Sequence, residues 1–350
     1  MAIHWQVKFK SLRADELYTV NIYDDNYSGT PIQLTSAARP FETQEDESNE
    51  WFMPVRTQSG YLRILDNGKD ANGNTLSTGD KWTDMIPADA KSRKVTLTDH
   101  NGNVKWQGYL QPQTFSGLIY EDAQEREFPT VCSLSVLGGI DPTVQDGLVT
   151  FAELLSSILA QTGIDYQRIY FQGEDAIYWL GKKVDWSNFA VSDNNNQRVA
   201  NYNCFELLEE ICKFWGWTCR TYGGNLYFVA ADEQFDVDFI YMTRQDLDDI
   251  AQGTTPHYTT DSWSYADTDQ DVYASTDNQL EILRGIKKAT VRCDFNKRDE
   301  IIAVPFEEIS AKFRAADVEY TQHGSVYHFY KAYNGTYYSI SEYENGEVSI

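Results

Sequence analysis

The sequence predicts an α+β fold that is mainly β, with two small β-barrel or sandwich domains and an α+β domain between them. Three observations carry this expectation. Short runs of alternating apolar and polar residues, with Asn-Gly turns among the N-terminal ones, occupy both ends of the chain. A helix that feeds a hairpin stands between them, at residues 203–229. Aromatic residues make up 14% of the chain, with 23 Tyr and 9 Trp, a composition suited to packed β structure and opposed to disorder. At 350 residues the chain exceeds one ordinary core. The partition expected is 1–140, a β domain; 141–235, the α+β domain; 236–279, an acidic connecting segment; and 280–350, a second β domain.

Residues 1–140 read as β throughout. The stretch 18–23 alternates, 51–56 and 60–65 follow, and Asp66-Asn67-Gly68 closes the last of these. Residues 70–74 read as a loop. Residues 94–98 and 104–110 around His100-Asn101-Gly102-Asn103 are the strongest hairpin signal, and 126–137 supplies a further strand. The pattern stops at Gly138-Gly139-Ile140-Asp141-Pro142. Thr150 and Glu153 then form a capping box for a helix whose buried stripe is Phe151, Leu154, Leu155, Ile158 and Leu159. Residues 164–200 read as short strands with a loop at 193–196. Asn203 and Glu206 cap the next helix, Leu208, Ile211, Cys212 and Trp215 recur at helical spacing, and Gly216 supplies the C-terminal residue tolerant of positive φ. Strands at 217–222 and 226–229 join through Gly223-Gly224-Asn225. A short helix at 244–250, a long loop at 253–279 and strands at 288–295, 301–306, 325–330 and 336–340 complete the reading.

Composition excludes several function classes. The formal net charge is -24, from 53 acidic and 29 basic residues, which removes the basic footprint of a nucleic-acid reader. The 5 cysteines include no C-x-x-C pair, so neither zinc nor a disulfide framework is expected; Cys204 and Cys212 read as small hydrophobes. No stretch approaches the roughly 18 apolar residues of a membrane span, and the protein is expected to stay in the cytoplasm until lysis releases it.

The candidate chemistry is thin. Asp267, Asp269 and Asp271 have the spacing that opens a calcium loop, but Val272 replaces the turn glycine and Asn278 the bidentate glutamate. His323 and His328, read along one strand, fall on opposite faces. Glu45, Asp46, Glu47 and Glu50 read as an exposed loop. Trp215 and Trp217 read as core in preference to a sugar-stacking platform. Hydrolase, metalloprotease, Walker and dinucleotide fingerprints do not occur. The expectation is no catalytic residue, no metal site, no cofactor and no enzyme activity.

Three groups of residues resemble one family, the hub proteins of phage tails and baseplates, similar also to the hub part of type VI secretion spikes. The segment 52–64 (Phe-Met-Pro-Val-Arg-Thr-Gln-Ser-Gly-Tyr-Leu-Arg-Ile), with 106–112 (Trp-Gln-Gly-Tyr-Leu-Gln-Pro), resembles the opening β domain of prophage tail proteins from gut bacteria. Residues 151–159 with 205–229 are similar to the helix and helix–hairpin of the hub's lateral domain, and 280–296 is similar to the entry into a second tube-like β domain. The resemblance implies two tube-like β domains, a homotrimeric ring joining tail tube to tail tip, neighbouring tube and tip proteins as partners, passage of DNA without specific binding, and a place in the virion. In relatives that carry a lysin domain it follows the hub; here the chain ends at Ile350, so a purely structural role is expected. Two other readings stand beside it: a carbohydrate-binding or host-surface adhesion module and, third, a glycoside hydrolase.

Overall fold

The computed structural model describes residues 2–11, 16–46, 52–112, 123–143, 147–173, 175–192, 198–230, 237–263, 320–323, 326–333, 336–343 and 348–349. The fold is α+β and mainly β, with few helices. Two units are distinguished, Met1–Arg284 and Gly285–Ile350.

The first unit begins with an eight-stranded sheet. Its strands are β1 (Ala2–Lys10), β2 (Leu17–Asp24), β3 (Ile32–Leu34), β4 (Ser36–Glu45), β6 (Gln58–Asp66), β7 (Lys94–Thr98), β8 (Val104–Leu110) and β9 (Gln124–Cys132), while β5 (Val55–Arg56) belongs to another sheet. The order is β3-β1-β2-β7-β8-β9-β6-β4. Laid flat, eight strands would separate the two end strands by roughly 33 Å. Yet β3 and β4 are separated only by Thr35, so Leu34 and Ser36 lie within about 7 Å of each other. The sheet must therefore roll on itself. The covalent chain closes the seam, and no ladder joins β3 to β4. The rolled interior is filled by Trp5, Val7, Val20, Ile22, Leu62, Ile64, Val95 and Phe128, all buried.

One turn is built twice around this sheet. In Asp70-Ala71-Asn72-Gly73-Asn74 the Asp70 carboxylate accepts from the N–H groups of Asn72 (2.9 Å) and Asn74 (2.7 Å) and from the Asn74 side chain (2.9 Å). In Asp99-His100-Asn101-Gly102-Asn103 the Asp99 carboxylate accepts from Asn101 (2.9 Å), Asn103 (2.9 Å) and the Asn103 side chain (3.0 Å). Gly73 and Gly102 take φ of 87° and 84°, where a side chain would be strained. Hydrogen bonds to the charged form hold a carboxyl below its ordinary value of 3.8. For Asp70 the Asn74 side chain leads; for Asp99 burial pushes upward and the bonds from Asn103 and Asn101, with Lys105 nearby, outweigh it. Because both folded values lie below the unfolded one, the stabilisation is complete above about pH 4 and is lost as pH falls further. Acid unfolding followed by circular dichroism is expected to begin below pH 4, with a shallower slope for Asp99→Asn.

The rest of the first unit packs helices on a six-stranded sheet. Its helices are α1 (Phe151–Gln161), α2 (Ala176–Leu180), α3 (Cys204–Trp215) and α4 (Arg244–Ala251). Its remaining strands are β10 (Leu148–Thr150), β11 (Ile169–Gln172), β12 (Lys183–Asp185), β13 (Ala190–Ser192), β14 (Arg198–Ala200), β15 (Trp217–Tyr222), β16 (Asn225–Ala230), β17 (Val237–Met242) and β18 (Thr259–Trp263). The larger sheet has the order β18-β17-β11-β16-β15-β5. Alternation along its strands gives two buried faces. Ile169, Phe171, Trp217, Cys219, Leu226, Phe228, Ile240 and Met242 belong to the main core with the helices, and Tyr170, Tyr227 and Phe239 form a separate cluster.

No break in packing falls at residue 140. One apolar cluster includes Trp5 and Val20 of the rolled sheet together with Leu208, Phe228 and Ile250. Polar ties cross the same junction: Gln107 donates to the Gly224 carbonyl (2.8 Å), Tyr109 to the Thr162 carbonyl (2.7 Å) and Thr218 to the Met53 carbonyl (3.0 Å). Strand β5 adds in parallel to β15, which sets Arg56 directly beside Arg220. Glu45 of β4 answers both, at 3.3 Å and 3.0 Å.

Several expectations change. The strand expected at 126–137 ends at Cys132, because Leu134 and Leu137, both fully buried, turn inward in a 3₁₀ turn over Ser135–Gly139. The loop expected at 253–279 contains β18, an edge strand paired with β17, whose exposed Thr259, Thr260 and Ser262 give no alternation to read in the sequence. A helix, α2, interrupts the short strands of 164–200. Of the strand expected at 51–56, Val55–Arg56 is described as strand.

In the second unit, β19 (Tyr320–His323), β20 (Val326–Tyr333), β21 (Thr336–Tyr343) and β22 (Val348–Ser349) form an antiparallel ladder in sequence order. The strands expected at 288–295 and 301–306 lie outside the described residues.

Candidate interaction surface

Helix α3 is defined by its ends. The Asn203 side chain accepts from the Glu206 N–H (2.9 Å), and the Glu206 carboxylate accepts from the Asn203 N–H (2.9 Å), so two orphan donors are satisfied reciprocally. Gly216, at φ 68° and ψ 28°, stops the helix. Leu207, Leu208, Ile211 and Cys212 are buried. Successive helical residues diverge by about 100°, so the buried stripe cannot take every ring of Phe214-Trp215-Gly216-Trp217. Trp217 goes into the core as the first residue of β15, Trp215 is half-buried, and Phe214 is 62% exposed.

Helix α2 brings the complementary rings. Tyr178 is 59% exposed and Trp179 40%. Trp179 meets Trp215 at 5.0 Å, Trp215 meets Phe214 at 4.6 Å, and Phe151, the first residue of α1, meets both Phe214 (5.5 Å) and Trp215 (5.0 Å). The Lys182 ammonium stands 3.6 Å from the Tyr178 ring centroid. Exposed aromatic clusters of this kind mark contact sites. The ring pairs are edge-on for Tyr178–Trp179 (71°) and Phe214–Trp215 (79°), tilted for Trp179–Trp215 (42°) and stacked for Phe151–Phe214 (15°).

The other candidates are placed as follows. Asp267, Asp269, Asp271 and Asn278 lie outside the described residues, as do Glu47 and Glu50. Glu45 and Asp46 are not in an exposed loop: Glu45 ends β4 and holds Arg56 and Arg220, and Asp46 accepts from Ser59 (2.7 Å) and from Thr57. His323 and His328 sit on two adjacent antiparallel strands, β19 and β20, where a single strand was expected, with Thr321 opposite His328 and His323 opposite Val326. Among the described residues no group of three His, Cys, Asp or Glu is arranged to hold a metal ion, and no helix is long and apolar enough to cross a membrane. Sequence reasoning missed Tyr178, Trp179 and Phe214. The available signal was the crowding of aromatics at 214–217.

Cys132, Cys204, Cys212 and Cys219 are free and buried. Burial pushes the Cys204 thiol up to about 11 and raises Cys219 well above the ordinary value, with Cys212 adding to the shift. A thiol reagent at neutral pH is expected to leave these four untouched in the folded protein and to label them after denaturation. Mass spectrometry of the labelled peptides checks this.

No family model matches the chain, and no curated protein matches it. Among solved structures it is similar to a crystal structure of the tail protein from Neisseria meningitidis MC58, at 9% identity and a TM-score of 0.33, over 60% of this chain and 50% of that one. The chain thus spans half the length of that distant structural neighbour.

Proposed function

We propose that the protein is a structural component of a phage or prophage tail, a hub that joins tail tube to tail tip, and that it works without catalysis. The observation that carries this reading is the placement of the segments that resemble tail hubs. Of the segments 52–64 and 106–112, residues 58–64 and 106–110 lie in β6 and β8 of the rolled sheet while Val55–Arg56 joins the six-stranded sheet; 151–159 lie in α1, 205–229 in α3, β15 and β16, and 280–296 outside the described residues. Leu62, Trp106, Leu155 and Phe228 of these segments belong to one apolar cluster. The working form is a homotrimeric ring with neighbouring tube and tip proteins stacked on it. Such a ring needs heterologous contacts between subunits whose geometry closes. The net charge of -24 lets acids face passing DNA without adhering to it. The exposed rings of Tyr178, Trp179 and Phe214 supply anchors for a neighbouring tail protein, the residue types that dominate interface energetics.

Tagged protein expressed during prophage induction is expected to retain tail tube and tip proteins, identified by mass spectrometry. Retention of no tail protein would overturn the reading. The same exposed rings favour a second reading, a carbohydrate-binding or adhesion module, which predicts glycan-array binding that Trp179→Ala abolishes.

A further inference from the structure

Strand β18 ends the six-stranded sheet and pairs with β17 in an unbroken register, from Tyr241 opposite Thr259 to Val237 opposite Trp263. The direction of its free peptide groups follows from its neighbours. In an antiparallel pair the N–H and C=O of one residue point to the same side, and the side alternates along the strand. The Gly173 N–H donates to the Asp238 carbonyl (2.9 Å), so the peptide groups of Asp238 face β11. Those of Phe239 and Tyr241 then face β18, where they meet Asp261 and Thr259. Thr260 and Ser262 therefore turn their N–H and C=O groups away from β17, to a side where no strand lies among the described residues. The other ends of the two large sheets are blunted. Strand β3 has three residues, β5 has two, and β4 carries Pro40 and a register shift between Ser36 and Phe41. Such devices keep stray strands from adding to an edge, and β18 contains no Pro, no Lys and no register shift.

We propose that the β18 edge receives an extended, antiparallel segment of a partner protein, and that this segment carries a Lys or Arg opposite Asp261. Main-chain bonds to Thr260 and Ser262 supply the grip, and the side chains between them supply the selectivity. With Thr260 and Ser262 at the hydrogen-bonded positions of the new ladder, Asp261 falls at the position between, where opposed Cα atoms approach to about 4.5 Å and side chains are closest. Asp261 has no ion-pair partner among the described residues; Arg168, over the Tyr241 ring at 4.6 Å, feels its charge from further off. The same closeness disfavours a second copy of this chain. Pairing β18 with itself over all five residues sets the two Asp261 carboxylates against each other, between chains of net charge -24. A basic segment meets the opposite condition at both scales. The pairing uses none of the exposed rings of α2 and α3 and does not depend on a tail role.

The test uses the full chain. Amide hydrogen exchange resolved to single residues is expected to be fast at Thr260 and Ser262 and slower at Asp261. Protected Thr260 and Ser262 amides in the isolated monomer would mean that the edge is already filled and would overturn the proposal. Short random peptides displayed on a surface and selected on the wild-type protein are expected to converge on β-forming sequences with one Lys or Arg. A selected peptide, synthesised and titrated, is expected to bind Thr260→Pro roughly fivefold more weakly, the scale of one hydrogen bond. That variant is expected to keep its melting temperature, because a proline is tolerated where the missing N–H faced outward on an edge. Asp261→Lys, which leaves the backbone groups in place, is expected to turn the selection toward peptides with Asp or Glu. Three results would each contradict the assignment: no enriched peptide, an unchanged charge preference on Asp261→Lys, or a wild-type dimer that Thr260→Pro dissociates, which would put a second copy on this edge.

Discussion

Phe228→Ala is expected to destabilise the protein by about 3–5 kcal/mol, and Ile211→Ala by about 2–5 kcal/mol. Phe228 is fully buried in β16, stacked 4.8 Å from Phe171 and tilted against Trp217 at 5.8 Å. Ile211 is 1% exposed on the inner face of α3. Each truncation removes apolar surface and leaves a cavity that close-packed neighbours fill only in part. Because the same apolar cluster reaches Trp5 and Trp106 of the rolled sheet, the loss is shared across the first unit. Urea unfolding followed by tryptophan fluorescence and by helical circular dichroism is expected to give coincident transitions for residues 1–284, shifted together in either variant. Separate transitions, with the rolled sheet unmoved by Phe228→Ala, would mean that the cluster does not couple the two sheets.

The second large effect concerns association. Tyr178→Ser combined with Phe214→Ser is expected to leave the melting temperature nearly unchanged, since each ring is more than half exposed and exposed substitutions change stability by about 0.5 kcal/mol or less. Retention of tail partners is expected to fall by roughly thirtyfold or more, the effect of losing one anchor worth about 2 kcal/mol. Wild-type retention by the double variant, measured by quantitative pull-down, would remove this surface from the interface.

Legibility in the sequence followed the range of the interactions. The α3 helix–hairpin was readable to its ends because each signal is local: Asn203 and Glu206 reach each other across one turn, Gly216 takes its own positive φ, and Gly223 and Gly224 (φ 56° and 77°) turn the hairpin. The Asp99–Asn103 hairpin was readable for the same reason. What escaped was set by distant partners. Val55–Arg56 is too short to declare which sheet it joins, and only Cys219 and Arg220, far along the chain, decide it. Strand β18 is recruited by β17 despite polar residues. Glu45 looked like one acid in a polar run because Arg56 and Arg220 are brought to it by the same pairing. The aromatic surface depends on α2, five residues long and below the length at which helical periodicity can be read. No catalytic constellation was expected from the sequence, and the proposed role rests on shape and contacts.

The most direct measurement is the composition of purified tail particles. Tails isolated after prophage induction and analysed by quantitative mass spectrometry are predicted to contain this chain in fixed proportion to the tube subunit, three copies per tail, with cryo-electron microscopy placing it between tube and tip. A chain absent from the particles and recovered free in the lysate would contradict the account.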